Sequence, residues 1–538
     1  MFKRNRAGKK VLSVLVSIVT VMSLMTVPAF AAEDTKEPVE VVAEEGETKT
    51  EEVGDVDIIR ESGDDQSFAA EVRGEGGEAA LKTGDITGSG EEKVIGVAAY
   101  SYNEGTAEVW TGNIDTNGGG VESLSRSGGD SFVAVDGSIN SEDFGVYAGA
   151  GEEDSLAGVS VEGDVKVETE HNDSPAVFSY AVNKGEADTA IAGDVNSTGD
   201  GVNAVGHYGG TANVIVLGNV TSSGTAEPRS DNDYLTAAGV EAYGEGSKAE
   251  TIVAGDVTME NDKGVALMLK AGEDTEASMT VGGTVKGGDI PVMINTRDKD
   301  FSNISLTVWK IEPNADGEVA RSVDQDQKTV ERCEEFEKTI NYIIRIEETS
   351  DADLSAQDTA HEGEKVILKV NVKDGYEPVG AYNGVEEKVP LVKDANGDWY
   401  VIVPKGGGVY LSVELRKKES HKKDDDDKKD NKVTAAATTT TTGAAYASAD
   451  AFAAAGVSMI ASAASGSTVT MDATSFTSLP ANTAAALMAR PDVTFVFTYM
   501  LNGVRYTVTI PAGTNIAALL NSSGGIDFAS LASFTAAG

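Results

Sequence analysis

Between residues 84 and 285 one short motif recurs eight times: Gly, a polar residue, then Ile or Val. The copies are Gly84-Asp85-Ile86, Gly112-Asn113-Ile114, Gly137-Ser138-Ile139, Gly163-Asp164-Val165, Gly193-Asp194-Val195, Gly218-Asn219-Val220, Gly255-Asp256-Val257 and Gly283-Thr284-Val285. Successive glycines are 28, 25, 26, 30, 25, 37 and 28 residues apart. A segment of that length cannot bury an apolar face alone. Repeated, it can do so by stacking on its neighbours, which is the logic of a solenoid.

The flanking residues indicate strands. Two positions before each Gly stands Lys82, Trp110, Val135, Val161, Ile191, Val216, Val253 or Val281. Residues two apart in a strand share a face, so these positions and the Ile or Val after the Gly should face one interior. A second stripe (Val97, Val121, Val146, Val177, Val202, Val240, Val265 and Val292) follows each motif, usually after Gly or Ala. Each repeat therefore reads as two or three short strands, and the stack as a parallel β-solenoid over 67–310. At a rise near 4.8 Å per coil, eight coils would span roughly 40 Å. The coil from Val220 to Val240 is overlong, so Thr221 to Ala238 should loop out. Insertions of this kind are where solenoids commonly carry binding surface.

Composition narrows the setting. Lys3, Arg4, Arg6, Lys9 and Lys10, then an apolar run from Val11 to Val27 and the tripeptide Ala29-Phe30-Ala31, read as a signal peptide over 1–31. The mature chain is expected to begin at Ala32 and to be extracellular. The net charge is -45, and losing the five signal cations leaves about -50. Such a charge opposes nucleic acid and anionic lipid as partners. With one cysteine, Cys333, no intramolecular disulfide can form. No later stretch has the roughly 20 apolar residues of a spanning helix. With no lipobox, sortase signal or outer-membrane barrel, the mature protein is expected to be released or held to the cell surface non-covalently.

The remaining segments differ in character. Residues 32–66 carry fourteen Asp and Glu against three Lys and Arg and no aromatics, which reads as an acidic disordered linker. Residues 311–338 read as a connector, and 339–416 as a small β-domain. Its strand runs are 341–346, 366–372, 398–403 and 408–413, separated by turns such as Asn383-Gly384 and Asn396-Gly397. Residues 417–465 are a low-complexity linker. Residues 466–538 read as an α+β C-terminal domain. It should hold helices at 482–489 and 515–520, and a hairpin of 493–501 and 504–510 about Asn502-Gly503.

Three resemblances follow. The G-D-[IV] repeats resemble the β-helical passenger regions of bacterial adhesins and autotransporters, although no C-terminal barrel is present. Glu362-Gly363-Glu364-Lys365-Val366-Ile367-Leu368, Gly375-Tyr376, Asn383-Gly384 and Trp399 to Pro404 resemble the bacterial repeat domain related to the internalin B-repeats. That resemblance implies a β-rich module of surface proteins without catalytic chemistry. Tyr499, Gly503 and Tyr506 to Gly513 resemble the C-terminal hairpin of many Firmicute extracellular proteins. Taken together they imply a bacterial secreted or surface protein.

The search for chemistry returns no catalytic, cofactor-binding or metal-ligating residue. His171, His207, His361 and His421 share no metal-ligand spacing, and none pairs with Cys333 in a nucleophile motif. The recurring Asp85, Asp164, Asp194 and Asp256 read as an external ladder or turn cap, at most one per coil. Stacked carboxylates also suit calcium, but the nonapeptide G-G-x-G-x-D repeat and the EF-hand loop are absent. The reading is a non-enzymatic adhesin-like or structural protein, with a host or cell-wall glycan or protein as partner and no cofactor. The alternative is a β-helical carbohydrate-active enzyme, a polysaccharide lyase or hydrolase.

Overall fold

A computed structural model describes residues 35–418 except 62–67, 170–174, 224–235, 297–299, 325–328 and 386, together with short segments between 438 and 527. The segment read as a signal peptide, 1–31, lies outside the described residues. The chain divides into two compact units at 418/419.

The first unit is built on a parallel β-solenoid of about nine turns. The fullest coils hold three strands, as in Val177–Val182, Glu186–Ile191 and Val195–Ser197. First strands of successive coils hydrogen-bond into one sheet, and second and third strands into another. The β-branched residue after each Gly opens the third strand and points inward. Val56, Ile86, Ile114, Ile139, Val165, Val195, Val220, Val257, Val285 and Ile311 pair in one unbroken column. None is more than 1% exposed. A matching column of the first-strand sheet runs from Ala70 through Val97, Val121, Val146, Val177 and Val202 to Ala238, Leu267 and Val292. Both columns belong to one buried cluster, so every coil buries the face its neighbours leave open.

The structure departs from the sequence reading at four places in this unit. Residues 32–66 are not a disordered linker throughout, because Val39–Glu44, Thr48–Glu52 and Val56–Arg60 form a first coil. The acids there sit on outward positions, while Val39, Val41, Ala43, Val56 and Ile58 turn in. Lys82 and Trp110 face outward, paired with each other and with Ala134. In those two coils the corner holds one residue fewer, and the inward residues are Thr83 and Thr111. Val240 and Val265 are buried but sit two residues away from the stripe, whose positions Ala238 and Leu267 take. The connector 311–338 completes the solenoid: Ala320–Asp324 adds to the first-strand sheet, turns back through Thr329–Arg332, and leads to a helix at Glu334–Glu337.

The small β-domain follows without a break in the core. Val366, Leu368, Ala381, Val403, Val409 and Leu411 belong to the same buried cluster as the solenoid interior. One four-stranded sheet holds Arg345–Ile346, Tyr410–Lys417, Tyr376–Asn383 and Val389–Pro390. The other holds Ala352–Ser355, Lys365–Val372, Trp399–Ile402 and Val392–Lys393. The strand Tyr376–Asn383 escapes sequence reading because Pro378 and Gly380 interrupt it, and its register shifts between those residues. Gly406, Gly407 and Gly408 have φ of 79, 73 and 79°, a run only glycine adopts readily. This run closes the last solenoid edge: Ile311 N donates to Gly406 O at 2.7 Å and Gly408 N to Trp309 O at 2.8 Å. Arg345 lies over the Trp309 ring, 4.1 Å from its centroid.

In the second unit the hairpin is present, Thr494–Leu501 pairing with Val504–Ile510 from Phe495↔Ile510 to Leu501↔Val504. Thr483, Ala484, Ala486 and Leu487 are helical. Thr438–Thr440, inside the segment read as linker, is a strand paired with Thr468–Asp472. Asn502-Gly503 and the helix expected at 515–520 lie outside the described residues.

Candidate functional site

The polar residue of the repeated motif has a defined task. Asp194 Oδ1 accepts the backbone N–H of Asn219 one coil on, at 2.7 Å, and the Asn219 side-chain amide at 3.1 Å. Asn219 Oδ1 in turn accepts Asp256 N at 2.8 Å, and Asp256 Oδ1 accepts Thr284 N at 2.7 Å. Upstream the same link runs from Asp55 to Asp85, Asn113, Ser138, Asp164 and Asp194. The motif therefore needs a short side chain with an acceptor oxygen, which Asp, Asn and Ser share. It also needs Gly before it. A Cβ on Gly193 would lie inside van der Waals distance of Asp164 Oδ1 and of the Gly163 carbonyl. The expected Asp ladder is thus a chain of coil-to-coil hydrogen bonds, and Gly54-Asp55-Val56 is a ninth copy that the sequence reading missed.

Other candidates disperse. His361 sits in a turn, its Nδ1 3.0 Å from Ile340 O. His207 ends the strand Val202–His207, while His171 and His421 lie outside the described residues. Cys333 is buried and free. Among the described residues no group of three or more His, Cys, Asp or Glu is placed to hold a metal ion. No helix among them is long and apolar enough to cross a membrane. Residues 224–235 of the overlong coil lie outside the described residues. Arg321 does gather carboxylates, with Nε 2.6 Å from Glu318 and Nη1 3.3 Å from Asp289, but these contacts tie down the end of the solenoid. A shallow polar concavity of about 290 Å³ lies over the third strands of several coils. Its Asp115 accepts from Asn140 at 2.8 Å, and Asn117 is spent on Val94 N and the Gly90 and Glu92 carbonyls.

The feature that stands apart is aromatic. On the outer face of the first-strand sheet, Tyr147, Phe178, Tyr180, His207, Tyr208 and Tyr243 form one continuous run across four coils. Consecutive ring centroids are 5.5, 5.9, 5.7, 6.2 and 6.0 Å apart, and His207 also meets Tyr243 at 5.9 Å. Tyr208 and Tyr243 are 59% and 54% exposed, and the other four are half-buried. Parallel register builds the run: Tyr147 pairs with Phe178, Tyr180 is two residues on, and His207 pairs with Tyr243. Gly149 leaves room beneath the Tyr147 ring.

Carboxylates flank the strip. Tyr100 donates to Glu122 at 2.8 Å, beside Tyr147. Burial, reinforced by Glu71, pushes the Glu122 carboxyl above its ordinary pKa against the opposing hydrogen bond from Tyr100. Burial and then Glu122 push both Tyr100 and Tyr147 upward. At the other end Glu241 meets Lys270 at 3.2 Å. His207 Nε2 is enclosed and makes no hydrogen bond, its closest carboxylate oxygen being Glu241 Oε1 at 3.5 Å. The sequence reading placed His207 at the surface but did not assemble these rings. The available signal was their offset, one, three, five or six residues after the inward Val146, Val177, Val202 or Ala238 of each first strand.

In comparisons with known proteins the chain matches no family model, and no curated protein and no solved structure is significantly similar to it.

Proposed function

We propose that this chain is a non-enzymatic, exported, adhesin-like or structural protein whose solenoid presents a binding surface outside the cell. The observation that carries the reading is the use made of the periodic carboxylates. An enzyme on this fold would draw its acid and base from such groups. Here Asp164, Asp194 and Asp256 each spend an oxygen on the next coil's backbone. The exposed aromatic strip supports a binding role, since contiguous apolar surface on a soluble β-face marks an interaction site. The acidic charge supports an extracellular setting and disfavours nucleic acid.

The competing reading, a polysaccharide lyase or hydrolase, requires an acid and a base among the carboxylates outside the ladder. Incubation with neutral and uronate polysaccharides separates the two. The expected result is no release of reducing ends or unsaturated uronides; sustained turnover abolished by one carboxylate substitution overturns the proposal. Cell fractionation of the full chain should recover it outside the membrane, and a cytoplasmic location would contradict the export.

A further inference from the structure

We propose that the N-terminal end of the solenoid is a stacking surface for a second copy of this chain, held shut by two charged side chains of the first coil, Lys49 and Glu51. The inference goes beyond the reading above and does not depend on what the solenoid binds.

The inward columns of the second strands carry it. From Ala79 to Ala277 one column holds Ala in every coil but one, where Ser131 stands. From Leu81 to Met279 the next column holds only Leu, Val, Thr or Met. Every member of both is buried. In the first coil these positions fall to Lys49, paired with Ala79, and Glu51, paired with Leu81. Both are exposed. Within the stack an unpaired charge at such a position would be buried under the next coil at a cost of several kcal/mol. A Lys and a Glu stand there only because no coil follows. The other two strands of the first coil keep the apolar pattern, with Val39, Val41, Ala43, Val56 and Ile58 turned in. The departure is confined to one strand, so the end is apolar but for these two residues.

Local bonds close the same end. Lys49 Nζ reaches across to the first strand, donates to Val42 O and pairs with Glu47 Oε2 at 2.9 Å. That Glu47 oxygen in turn accepts Glu44 N at 3.2 Å. Two backbone groups of Val39–Glu44 thus take side-chain partners in place of a neighbouring strand. Over the third strand lies Thr35, whose N–H donates to Asp55 O at 2.8 Å and whose carbonyl accepts Asp57 N at 3.0 Å. Inward-pointing charge and locally satisfied backbone are the means by which sheet proteins refuse a strand from another molecule.

The partner refused is a second copy of this chain. Its first coil has the same strand spacing and the same inward columns, and a terminal repeat needs a polar end because its own kind is what would stack on it. The far end of the solenoid cannot make the contact. There the small β-domain continues the buried core, and Gly406 and Gly408 bond the last coil. Stacking would therefore run head to head, first coil on first coil, an isologous contact that closes at two copies. Residues 39–60 carry eight Asp and Glu against two Lys and Arg, which adds repulsion between two such ends.

Size-exclusion chromatography of the full chain with light-scattering mass tests this. The variant Lys49→Ala/Glu51→Leu repeats the residues of the second coil and should double the mass of the natural chain in about 0.5 M salt, where repulsion among the remaining acids is screened. The variant Thr48→Ala/Thr50→Leu places the same apolar groups on the outward face of the same strand and should leave the mass unchanged. Thermal melting checks that each variant is folded; if the inward pair does not fold, Glu51→Leu alone is read in the same way. Unchanged mass in the folded inward variant, or equal association of the inward and outward variants, overturns the proposal. A natural chain already paired, which the inward substitutions separate, also overturns it, because the charges would then make the contact instead of preventing it. Growth beyond a doubling overturns the head-to-head arrangement.

Discussion

Carboxylates hold both the body of the solenoid and its C-terminal end, in opposite ways. In the body each Asp of the ladder lies at the surface and accepts one backbone N–H of the next coil, and the link is made eight times with Asn, Ser or Asp serving equally. At the end a single carboxylate does many jobs. Glu337 accepts Val319 N at 2.9 Å, Ala320 N at 3.3 Å and Arg332 Nη2 at 3.0 Å, and pairs with Lys405 at 3.3 Å. It thereby joins the last first-strand, the returning hairpin and the small β-domain. The body repeats one bond; at the end several bonds converge on one residue.

The largest test attacks the body in the aliphatic column. Val195→Asp buries a charge between Val165 and Val220 and should cost several kcal/mol unless its pKa rises. Thermal unfolding and protease resistance measure it, and wild-type behaviour in both would refute the interior assignment. Next comes Glu337→Ala, which strands two backbone donors and removes the carboxylate partner of Arg332 and Lys405. A loss of roughly 2–3 kcal/mol is expected, with hydrogen exchange accelerating at Val319 and Ala320 while Val195 and Val220 keep their protection. Uniform acceleration along the chain would show that body and end are not distinct.

The ladder itself should respond less. Asp194→Ala removes the acceptor for Asn219 N and is expected to lower stability by about 1–2 kcal/mol. Asp194→Asn keeps that oxygen and relieves repulsion from Asp164, so a change under about 0.5 kcal/mol is expected from the same melts. Equal effects of the two substitutions would mean charge, not the acceptor oxygen, holds the coils together.

The smallest effect is a difference of sign with pH. Burial raises the pKa of Glu122 and likewise of Glu108 and Asp130 in the body. The folded state then holds protons that the unfolded state releases, so stability falls as pH rises through the window above the ordinary carboxylate value of about 4. Glu337 is the reverse: burial works against its ionisation, but the donors from Arg332, Val319, Ala320 and Lys405 outweigh it and lower the pKa. Its contribution is complete above the unfolded value and is lost as pH falls through the folded one. Denaturation midpoints followed from about pH 7 to about pH 5 should rise slightly, and Glu122→Gln should flatten that slope. A slope unchanged by Glu122→Gln would exclude this carboxyl as a source.

The contrast also explains what the sequence could disclose. Gly193-Asp194-Val195 is legible because steric demand, hydrogen bonding and burial act on three adjacent residues and repeat. Gly54-Asp55-Val56 obeys the same rule, but averaged acidity concealed it; inward Val39, Val41 and Ala43 alternate with outward Glu40, Val42 and Glu44. Trp110 was misplaced because one residue fewer at a corner shifts a strand's inward position. The aromatic strip was hidden for a related reason. Tyr147 and Tyr243 become neighbours of one run only after four coils of different length are set in register. Glu337 was illegible because its partners come from positions 319, 320, 332 and 405, which share no pattern.

The direction of the ladder has a consequence for how such a chain can change. Every link is made by the motif's side chain reaching toward the next coil, and the link requires nothing of the residues outside the motif. A gene segment encoding one coil could therefore be duplicated or deleted between any two motifs, and the new junction would find an acceptor on one side and a donor on the other. Spacings from 25 to 37 residues already coexist in this single stack. Length is thus a heritable quantity that can be adjusted in whole coils, and the reach of the solenoid can drift without its architecture being reinvented.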